Sequence, residues 1–467
     1  MPTEAADPAA PGAAAGDPGA PLSPRPAAWS SGVAFYPPSR RFWRIGGKWY
    51  DFESFLDKHP GGSTVLLLAR DRYEDCTFAF ESHHLNYGRA RAVIRQYEVP
   101  EEAVLAEGLL QRPRGADGPK RCADLHGDED PGAKLRLLGH EAFYSVLRAR
   151  AAQHLRAAGH PDGGPTAQCV ALFWAIYAAW AATWALAWLS GALVAAVAAG
   201  LLAAMVASYG HNWVHQPRYQ WLAFISLEPL GFSSATWFRE HVLQHHMYTN
   251  TPWDQHQLTL EPHLKTDPTV ERTWLQRNVG PYINPVILAL GPGGAYIIHL
   301  LEVLRGHEDF SLGKLLLPVH VVAFLVRWGL VRGLALLLLA QAALGIYYFS
   351  MGLMNHNAEH CLDIQARNAS QDWGVAQINT CADWDVSCSF LAASRYLWLN
   401  YHTVHHLFPR VDFSHHPALQ SILVRTCAEF GITYRPGNAL ELYKEMVHTF
   451  TTPMSLLQEA AVYAGGM

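Results

Sequence analysis

The hydrophobic pattern divides the chain into a mixed N-terminal part and a strongly apolar C-terminal part. Residues 35–100 alternate apolar, aromatic and charged positions at short intervals, as in a small soluble domain. Between residues 169 and 210 there is no Asp, Glu, Lys, Arg or His. A helix that crosses a bilayer needs about 20 apolar residues. This uncharged run therefore predicts two membrane spans joined by a turn at residues 189–191.

Three more apolar stretches follow, at residues 280–301, 315–331 and 333–354. The second of them contains Arg327, and the third is uncharged. If the polar segments before and after them lie on one side of the membrane, an even number of these stretches must cross it. We therefore expect two of the stretches to span the membrane and the third to be interfacial or re-entrant. The sequence does not identify which of the three does not cross.

The polar regions complete the predicted domain organisation. Residues 1–34 are rich in Ala, Pro and Gly and lack the apolar core of a signal peptide, so we expect a disordered tail on the cytosolic side. Residues 101–165 carry charge runs and Gly/Pro clusters and are predicted to be a linker with an amphipathic segment. Residues 166–435 then form the membrane domain, and residues 436–467 form a C-terminal helix and tail.

Composition narrows the candidate chemistry. The net charge of -5 gives no indication of a nucleic-acid partner. The 7 Cys include no Cys-x-x-Cys pair, so neither a thiolate zinc site nor a disulfide framework is indicated. The 25 His are far more abundant than usual, and their positions become the main question.

Nine of these histidines form clusters outside the apolar stretches. The clusters are spelled HxxxH, HxxxHH, a single His after the last apolar stretch, and HxxHH. Their members are His211, His215, His241, His245, His246, His356, His402, His405 and His406. Spacings of three and four residues place side chains on one face of a helix, and neutral imidazole suits iron, zinc or copper.

The sequence thus predicts that the nine imidazoles converge on two metal ions, and that the eight in the HxxxH, HxxxHH and HxxHH clusters serve catalysis. His360 is a tenth candidate. Other histidines, including His256 and His263, lack the spacing and are expected to be ordinary. A carboxylate-bridged di-iron site is a poorer fit, because Glu-x-x-His occurs only as Glu81/His84 and Glu445/His448, in different zones.

Groups near the clusters could support the metal ligands, which usually donate their second N–H to a carboxylate or carbonyl. The carboxylates close in sequence are Asp254, Asp267, Glu240, Glu359, Asp383 and Asp385. Trp213 and Trp237 could line a substrate tunnel, although tryptophan is also common at membrane interfaces.

The clusters resemble the histidine boxes of the membrane fatty-acid desaturase/hydroxylase superfamily, which hold a di-iron centre. NYHTVHHLFP at residues 400–409 is similar to that family's third box, and MNH at residues 354–356 resembles the extra histidine of front-end desaturases. HHMYTN at residues 245–250 and LEP at residues 260–262 resemble most closely the cytochrome b5-related proteins. Two features depart from the front-end pattern: His402 stands where Gln is usual, and the second box is one residue longer. Front-end regiochemistry therefore does not follow.

The N-terminal region resembles a second family. KWYDF at residues 48–52 and HPGG at residues 59–62 are similar to the cytochrome b5 signature. The resemblance implies haem b with His59 as one axial ligand and either His83 or His84, with His84 preferred, as the other. Two histidine ligands close the haem iron to O2 and suit it to electron transfer.

Together these features predict a small α+β cytochrome b5-like haem domain followed by an all-α integral membrane domain. The membrane domain would have about four transmembrane helices and a cytosolic histidine-rich cap. The resemblance implies a desaturase that uses O2 and two non-haem Fe ions to place a double bond in a fatty-acyl chain. A tethered haem domain would raise the local concentration of the electron donor without a new interface.

The implied partners are NADH-cytochrome b5 reductase and a membrane lipid or acyl-CoA substrate. The implied location is the endoplasmic reticulum membrane, with multiple spans and both termini cytosolic. Two alternatives stay open at this point. One is a fatty-acyl or sphingolipid hydroxylase of the same superfamily, and the other is a catalytically inactive membrane haem protein. Chain length, double-bond position and acyl carrier are not specified by the sequence.

Overall fold

The computed structural model describes residues 41–72, 76–84, 87–106, 143–250, 254, 256, 260–266, 270–305, 310–362 and 372–457. The tail predicted at residues 1–34 lies outside this part of the chain. A small domain with a β-sheet precedes a mostly helical domain, in which four helices are long and apolar enough to cross a membrane. This architecture confirms the predicted fold class.

The N-terminal domain is built on a three-stranded antiparallel sheet. Its strands are Trp43–Ile45, Lys48–Tyr50 and Glu98–Val99, in that spatial order. Three helices, Ser63–Arg72, Thr77–His83 and Tyr87–Ile94, pack on the sheet, and Glu101–Ala106 follows it. The core is buried and aromatic, with Trp43, Tyr50, Phe52 and Phe80 among its members. We call this unit the haem domain.

The first two spans form a helical hairpin, as the uncharged run predicted. They extend over Ala167–Ser190 and Leu193–Val214. The Thr166 hydroxyl accepts a hydrogen bond from the backbone N–H of Cys169 and begins the first helix. Gly191 ends that helix with φ 67, a left-handed conformation that glycine adopts without strain.

The later apolar stretches are arranged as one helix and one hairpin. Gly280–Leu304 is a single long helix. The two remaining stretches share the element Leu316–Met354, which reverses at Gly329, where φ is 71 and ψ is 176. A Cβ atom on Gly333 would lie 2.9 Å from the Phe324 carbonyl oxygen, so the two arms lie against each other.

The first arm of this hairpin, residues 316–328, is about 20 Å long at the helical rise. The hydrocarbon core of a bilayer is about 30 Å thick. By length this arm is therefore the stretch we expect not to cross the membrane on its own. The second arm packs closely on the second span, since a Cβ atom on Gly200 would lie only 2.2 Å from the Ala340 carbonyl oxygen. Only glycine fits there.

The remaining segments form a cap where the second span and the second arm end. Its α-helices and one π-helix, Phe238–His245, are Phe143–Ala157, Gln220–Leu227, Ser234–Trp237, Phe238–His245, His246–Tyr248, Trp274–Asn278, Trp373–Thr380, His402–Leu407, His416–Phe430 and Ala439–Thr451. Short 3-10 turns occur in the N-terminal domain at Glu53–Lys58 and Arg95–Tyr97. In the rest of the chain they occur at Pro217–Tyr219, Glu228–Leu230, Leu312–Leu315, Glu359–Leu362, Ala392–Tyr396 and Phe413–His415. The amphipathic segment expected before the first span is Phe143–Ala157, which buries Leu147, Ala151 and Leu155 against the cap.

Candidate metal centre

The nine clustered histidines meet in the cap and form two adjacent groups. The five-histidine group consists of His211, His215, His241, His246 and His405, and the four-histidine group consists of His245, His356, His402 and His406. Within each group the possible ligand nitrogens lie within 4.8 Å of one another. Eight of the nine side chains are buried, and His356 is partly buried.

The first box is located at the end of the second span. His211 lies in its last turn, and His215 follows the last helical residue. Asn212 lies between them and links this box to the third one. Its Nδ2 donates to Oδ2 of Asp412 at 2.6 Å, and its Oδ1 accepts from the Phe413 backbone N–H at 3.2 Å. The two boxes are thereby held together by a buried carboxylate.

The second box lies on a π-helix, Phe238–His245, whereas we expected its spacing to belong to an α-helix. The backbone N–H of His246 donates to the carbonyl of His241, five residues earlier. A π-helix accommodates one extra residue in a turn and is frequent at functional sites. The longer box can therefore still aim His241 and His246 at one group and His245 at the other.

The third box occupies the short helix His402–Leu407. The Asp383 carboxylate accepts a hydrogen bond from the Thr403 backbone N–H at 2.7 Å at the start of this helix. His402 and His406 contribute to the four-histidine group, and His405 contributes to the five-histidine group. The second and third boxes thus each supply both groups.

The four-histidine group has a complete set of outer partners. The Nδ1 atom of His245 donates to Asp254, that of His356 to the Thr380 carbonyl, that of His402 to the Asn355 amide oxygen, and that of His406 to Gln377, at 2.8 to 2.9 Å. Each ring therefore carries its proton on Nδ1 and presents the lone pair of Nε2 to the shared interior.

The spacing of the inner nitrogens fits a metal ion. Nε2 of His356 lies 3.1 Å from Nε2 of His245 and 2.8 Å from Nε2 of His402. In the five-histidine group, the corresponding separation is 3.1 Å for His211 and His405 and 3.0 Å for His241 and His246. Two nitrogens about 2.1 Å from one ion and at right angles lie about 3.0 Å apart.

The five-histidine group differs in its outer contacts. Among the described residues, Nδ1 of His215, His241 and His246 is buried without a hydrogen-bond partner, as is Nε2 of His215. An unpaired buried nitrogen is costly, and a bound metal ion would use the inner one. The rings of His215 and His246 lie 4.7 Å apart, so both can face the same ion.

Burial favours the neutral form of these imidazoles. It lowers the pKa of His245 and of His356 to about 3. No carboxylate joins either group among the residues that the structure describes. A neutral, all-imidazole cage can therefore take up cations at neutral pH without competition from protons.

Two histidines outside the nine change the picture. His256, which the sequence led us to treat as ordinary, has its ring 4.4 Å from that of His245 and 4.9 Å from that of His241. It therefore adjoins both groups at once. His360, the tenth candidate, belongs to neither group, and its Nε2 donates to the Cys381 carbonyl at 3.2 Å.

The supporting residues were only partly found from sequence. Of the candidate carboxylates, Asp254 bonds a clustered histidine, Glu359 pairs with His448, and Asp267 lies outside the described residues. Asn355, Gln377 and Asp412 were missed, because they are amides or lie beyond the boxes. Trp237 contacts the rings of His211 and His241, whereas Trp213 is packed in the core beside Tyr209 and Phe173.

The haem domain brings the rings of His59 and His84 close together, tilted by 59° to each other. Their ring centroids are 6.1 Å apart, and their Nδ1 atoms bond the carbonyls of Gly62 and Phe80. Two imidazoles that bind the same iron from opposite sides, each through a nitrogen about 2 Å away, have ring centroids about 6 Å apart. The neighbouring His83 makes the same kind of bond, from Nδ1 to the Ala79 carbonyl, so the ring contact with His59 is what distinguishes His84.

Gly61 is needed beside this pocket. A Cβ atom there would lie 2.8 Å from Cε1 of the His59 ring. The glycine therefore leaves room for the His59 ring, in addition to any room it leaves for a haem edge. Burial also lowers the pKa of His84 to about 3, which favours the neutral imidazole that a haem iron would need.

Comparison with known proteins identifies the families of the two parts of the chain. The profile of the family described as "Fatty acid desaturase" matches residues 182–438, and that of "Cytochrome b5-like Heme/Steroid binding domain" matches residues 32–101. The chain is 26% identical to "Cytochrome b5-related protein" of Drosophila melanogaster, over 88% of each protein.

Two further relatives are named as desaturases. Identity is 22% to "Probable Delta(5) fatty acid desaturase C" of Dictyostelium discoideum, over 84% of this chain and 86% of the relative. It is 26% to "Acyl-lipid (8-3)-desaturase" of Physcomitrium patens, over 84% of this chain and 83% of the relative. The desaturase match covers more than half of the chain, and the resemblance inferred from the boxes is confirmed. The protein belongs to the fatty acid desaturase family, with a cytochrome b5-like haem-binding domain fused ahead of its membrane domain.

Proposed function

We propose that the protein is an O2-dependent fatty-acyl desaturase that receives electrons through its own haem domain. The observation that carries this proposal is the pair of buried imidazole groups, five and four, directly at the end of the membrane helices. The fused haem domain supports it, because this chemistry consumes electrons one at a time.

The proposed reaction balances as follows. A –CH2–CH2– unit of the acyl chain, one O2, two electrons and two protons give –CH=CH– and two H2O. Two hydrogen atoms leave the chain, and O2 is reduced by four electrons, of which two come from the substrate and two from the haem domain. Bound at the two groups, iron would supply the O2 activation that side chains alone cannot provide.

The chain's own residues then have three tasks. Asp254, Gln377 and the Thr380 carbonyl fix the tautomer of their histidines, so that Nε2 stays available as a ligand. Burial of the groups excludes bulk water from the oxidising site. Trp237 lies against His211 and His241, and its ring is tilted against that of Tyr348. An acyl chain that approaches the centre from the membrane would contact these aromatic rings.

The partners follow from the two halves of the protein. A flavin-containing NADH-cytochrome b5 reductase would reduce the haem, as the b5-like fold suggests. The names of relatives such as "Acyl-lipid (8-3)-desaturase" support an acyl chain carried on a membrane lipid rather than on CoA. We place the protein in the endoplasmic reticulum membrane with both termini in the cytosol, where the reductase and its NADH would be.

Expression in a lipid-producing yeast, followed by fatty-acid profiling, tests the proposal. We expect a new double bond with the wild-type protein and none with His405→Ala, which removes a ligand of the five-histidine group. His448→Ala is the matched control, because this exposed histidine pairs with Glu359 and belongs to neither group. A new hydroxyl group would identify a hydroxylase instead. An unchanged profile from iron-loaded protein would refute both activities.

A further inference from the structure

One part of the contact between the haem domain and the membrane domain is the end of a helix. The helix Thr77–His83 ends directly before His84. Carbonyl groups in the last turn of a helix have no partner within it and carry partial negative charge. Nη1 of Arg148 donates to the Glu81 carbonyl at 3.2 Å, and Nη1 of Arg410 donates to the His83 carbonyl at 2.9 Å. Two arginines of the other domain therefore cap the helix that leads into the second haem ligand.

Both arginines are fixed to the third histidine box. Arg410 follows His406 by four residues. Arg148 is 6% exposed, and its guanidinium lies over the ring of Tyr144 at 5.5 Å. The Tyr144 hydroxyl in turn donates to the Leu407 carbonyl at 2.9 Å, in the helix that carries that box. The two arginines are thus held in place by the element that supplies three metal ligands.

An apolar contact accompanies the two arginines. Met247, the residue after His246, packs against the core of the haem domain. From the opposite side, Val65 of the haem domain packs against the core of the membrane domain. Val65 lies beside Gly61, where a Cβ atom would be 3.4 Å from its side chain, and so it lies close to His59. The helix Ser63–Arg72 also contacts the π-helix of the second box.

The interface therefore joins the ligand-bearing edge of the haem domain to the second and third boxes. His84 directly follows His83, whose carbonyl accepts the hydrogen bond from Arg410. Met247 directly follows His246 of the second box. A tether alone, which the sequence led us to expect, would not specify such an arrangement.

We propose that Arg148 and Arg410 form an arginine clamp that docks the haem domain in one position, with its axial-ligand edge on the second and third histidine boxes. We further infer that electrons pass from the haem domain to the metal centre of the same chain across this fixed interface. The second statement rests on the proposed function, whereas the docking does not. Arg148 and Arg410 are positioning residues in this scheme, because the hydrogen bonds that dock the haem domain go from their guanidinium groups to backbone carbonyls.

Hydrogen–deuterium exchange in lipid nanodiscs tests the docking without any enzymatic activity. In the wild-type protein we expect slow amide exchange in the segments around Val65 and Met247. The double variant Arg148→Gln/Arg410→Gln should exchange faster in both segments while its haem absorption spectrum is unchanged. Arg410→Lys, which keeps the charge and a donor, should stay close to wild type. Arg425→Gln is the control, because it removes an exposed arginine outside the clamp. Equal exchange in the wild-type protein and the double variant would overturn the clamp.

Stopped-flow absorption of the haem tests the electron path. Reduction of the haem by NADH and the reductase should proceed equally in all variants. Reoxidation with O2 and substrate should be independent of protein concentration in the wild type. In the double variant we expect reoxidation to be slower by about tenfold. A haem domain that is held only by its linker reaches the metal centre at the effective concentration that the linker sets, and not from a fixed docked position.

Reoxidation at the wild-type rate in the double variant would refute the role of the clamp in electron transfer. A wild-type haem that O2 and substrate do not reoxidise would refute the proposed function, while the exchange experiment would still decide the docking.

Discussion

Replacing Asp254 by Asn should weaken one metal site and leave the other intact. Asp254 is 1% exposed. Its carboxylate accepts from Nδ1 of His245 at 2.9 Å and from the backbone N–H groups of Asn250 and His256 at 3.0 Å each. The Asn side chain has the same shape but only one acceptor oxygen and no charge. Its NH2 group must therefore oppose at least one of these three donors.

The size of the effect follows from the partner that is lost. Mutating the hydrogen-bond partner of a metal-bound histidine typically weakens metal binding about 10- to 100-fold. At about 1.4 kcal/mol for each factor of ten, this is about 1.4–2.8 kcal/mol. A lost hydrogen bond to a charged group costs about 1.5–3 kcal/mol, which agrees. Only the four-histidine group should respond, because His245 is not a member of the five-histidine group.

Titration of ferrous iron into metal-free protein under anaerobic conditions measures both sites. The wild type should bind two ions, and Asp254→Asn should bind one ion as before and the second about 10- to 100-fold more weakly. Asp385→Asn is the control, because Asp385 accepts from the Tyr396 hydroxyl and from none of the nine histidines. Equal weakening of both sites, or two unchanged affinities, would refute the division into two groups.

Three shorter predictions test other parts of the structure. His84→Ala should abolish the Soret band of the haem, whereas His83→Ala should keep it; the opposite pattern in absorption spectra would reverse the ligand assignment. Gly200→Leu should lower stability by about 1–3 kcal/mol or more through overpacking, because a Cβ atom there meets a backbone oxygen at 2.2 Å. Thermal unfolding in detergent measures this against Gly294→Ala, where nothing lies within 4 Å, and equal stability of the two variants would contradict the close helix contact. Gln377→Leu removes the acceptor of one Nδ1 proton in the four-histidine group and should reproduce the iron-binding defect of Asp254→Asn; normal binding of both ions would contradict this role.

The sequence was most informative where a local pattern sets the local structure. The HxxHH box lies on a short helix, so its spacing directly predicts which face its side chains share. The uncharged run likewise predicts the first helical hairpin, because it is long enough for two spans with a turn at residues 189–191. Both inferences depend on residues a few positions apart in the chain.

Other features depend on contacts that spacing does not encode. The π-helix at Phe238–His245 is invisible to a pattern that assumes 3.6 residues per turn. His256 stands alone in the sequence, and only the path of the chain brings it beside His245 and His241. The arginine clamp joins positions 67 and 327 residues apart, which no local signal connects.

The ratio of non-haem iron to haem in the purified wild-type protein tests the central claim most directly. Metal analysis combined with the haem absorption gives this ratio without knowledge of the substrate. The two histidine groups and the single haem pocket predict two non-haem irons per haem. A ratio below one, in protein that carries a full complement of haem, would contradict the account.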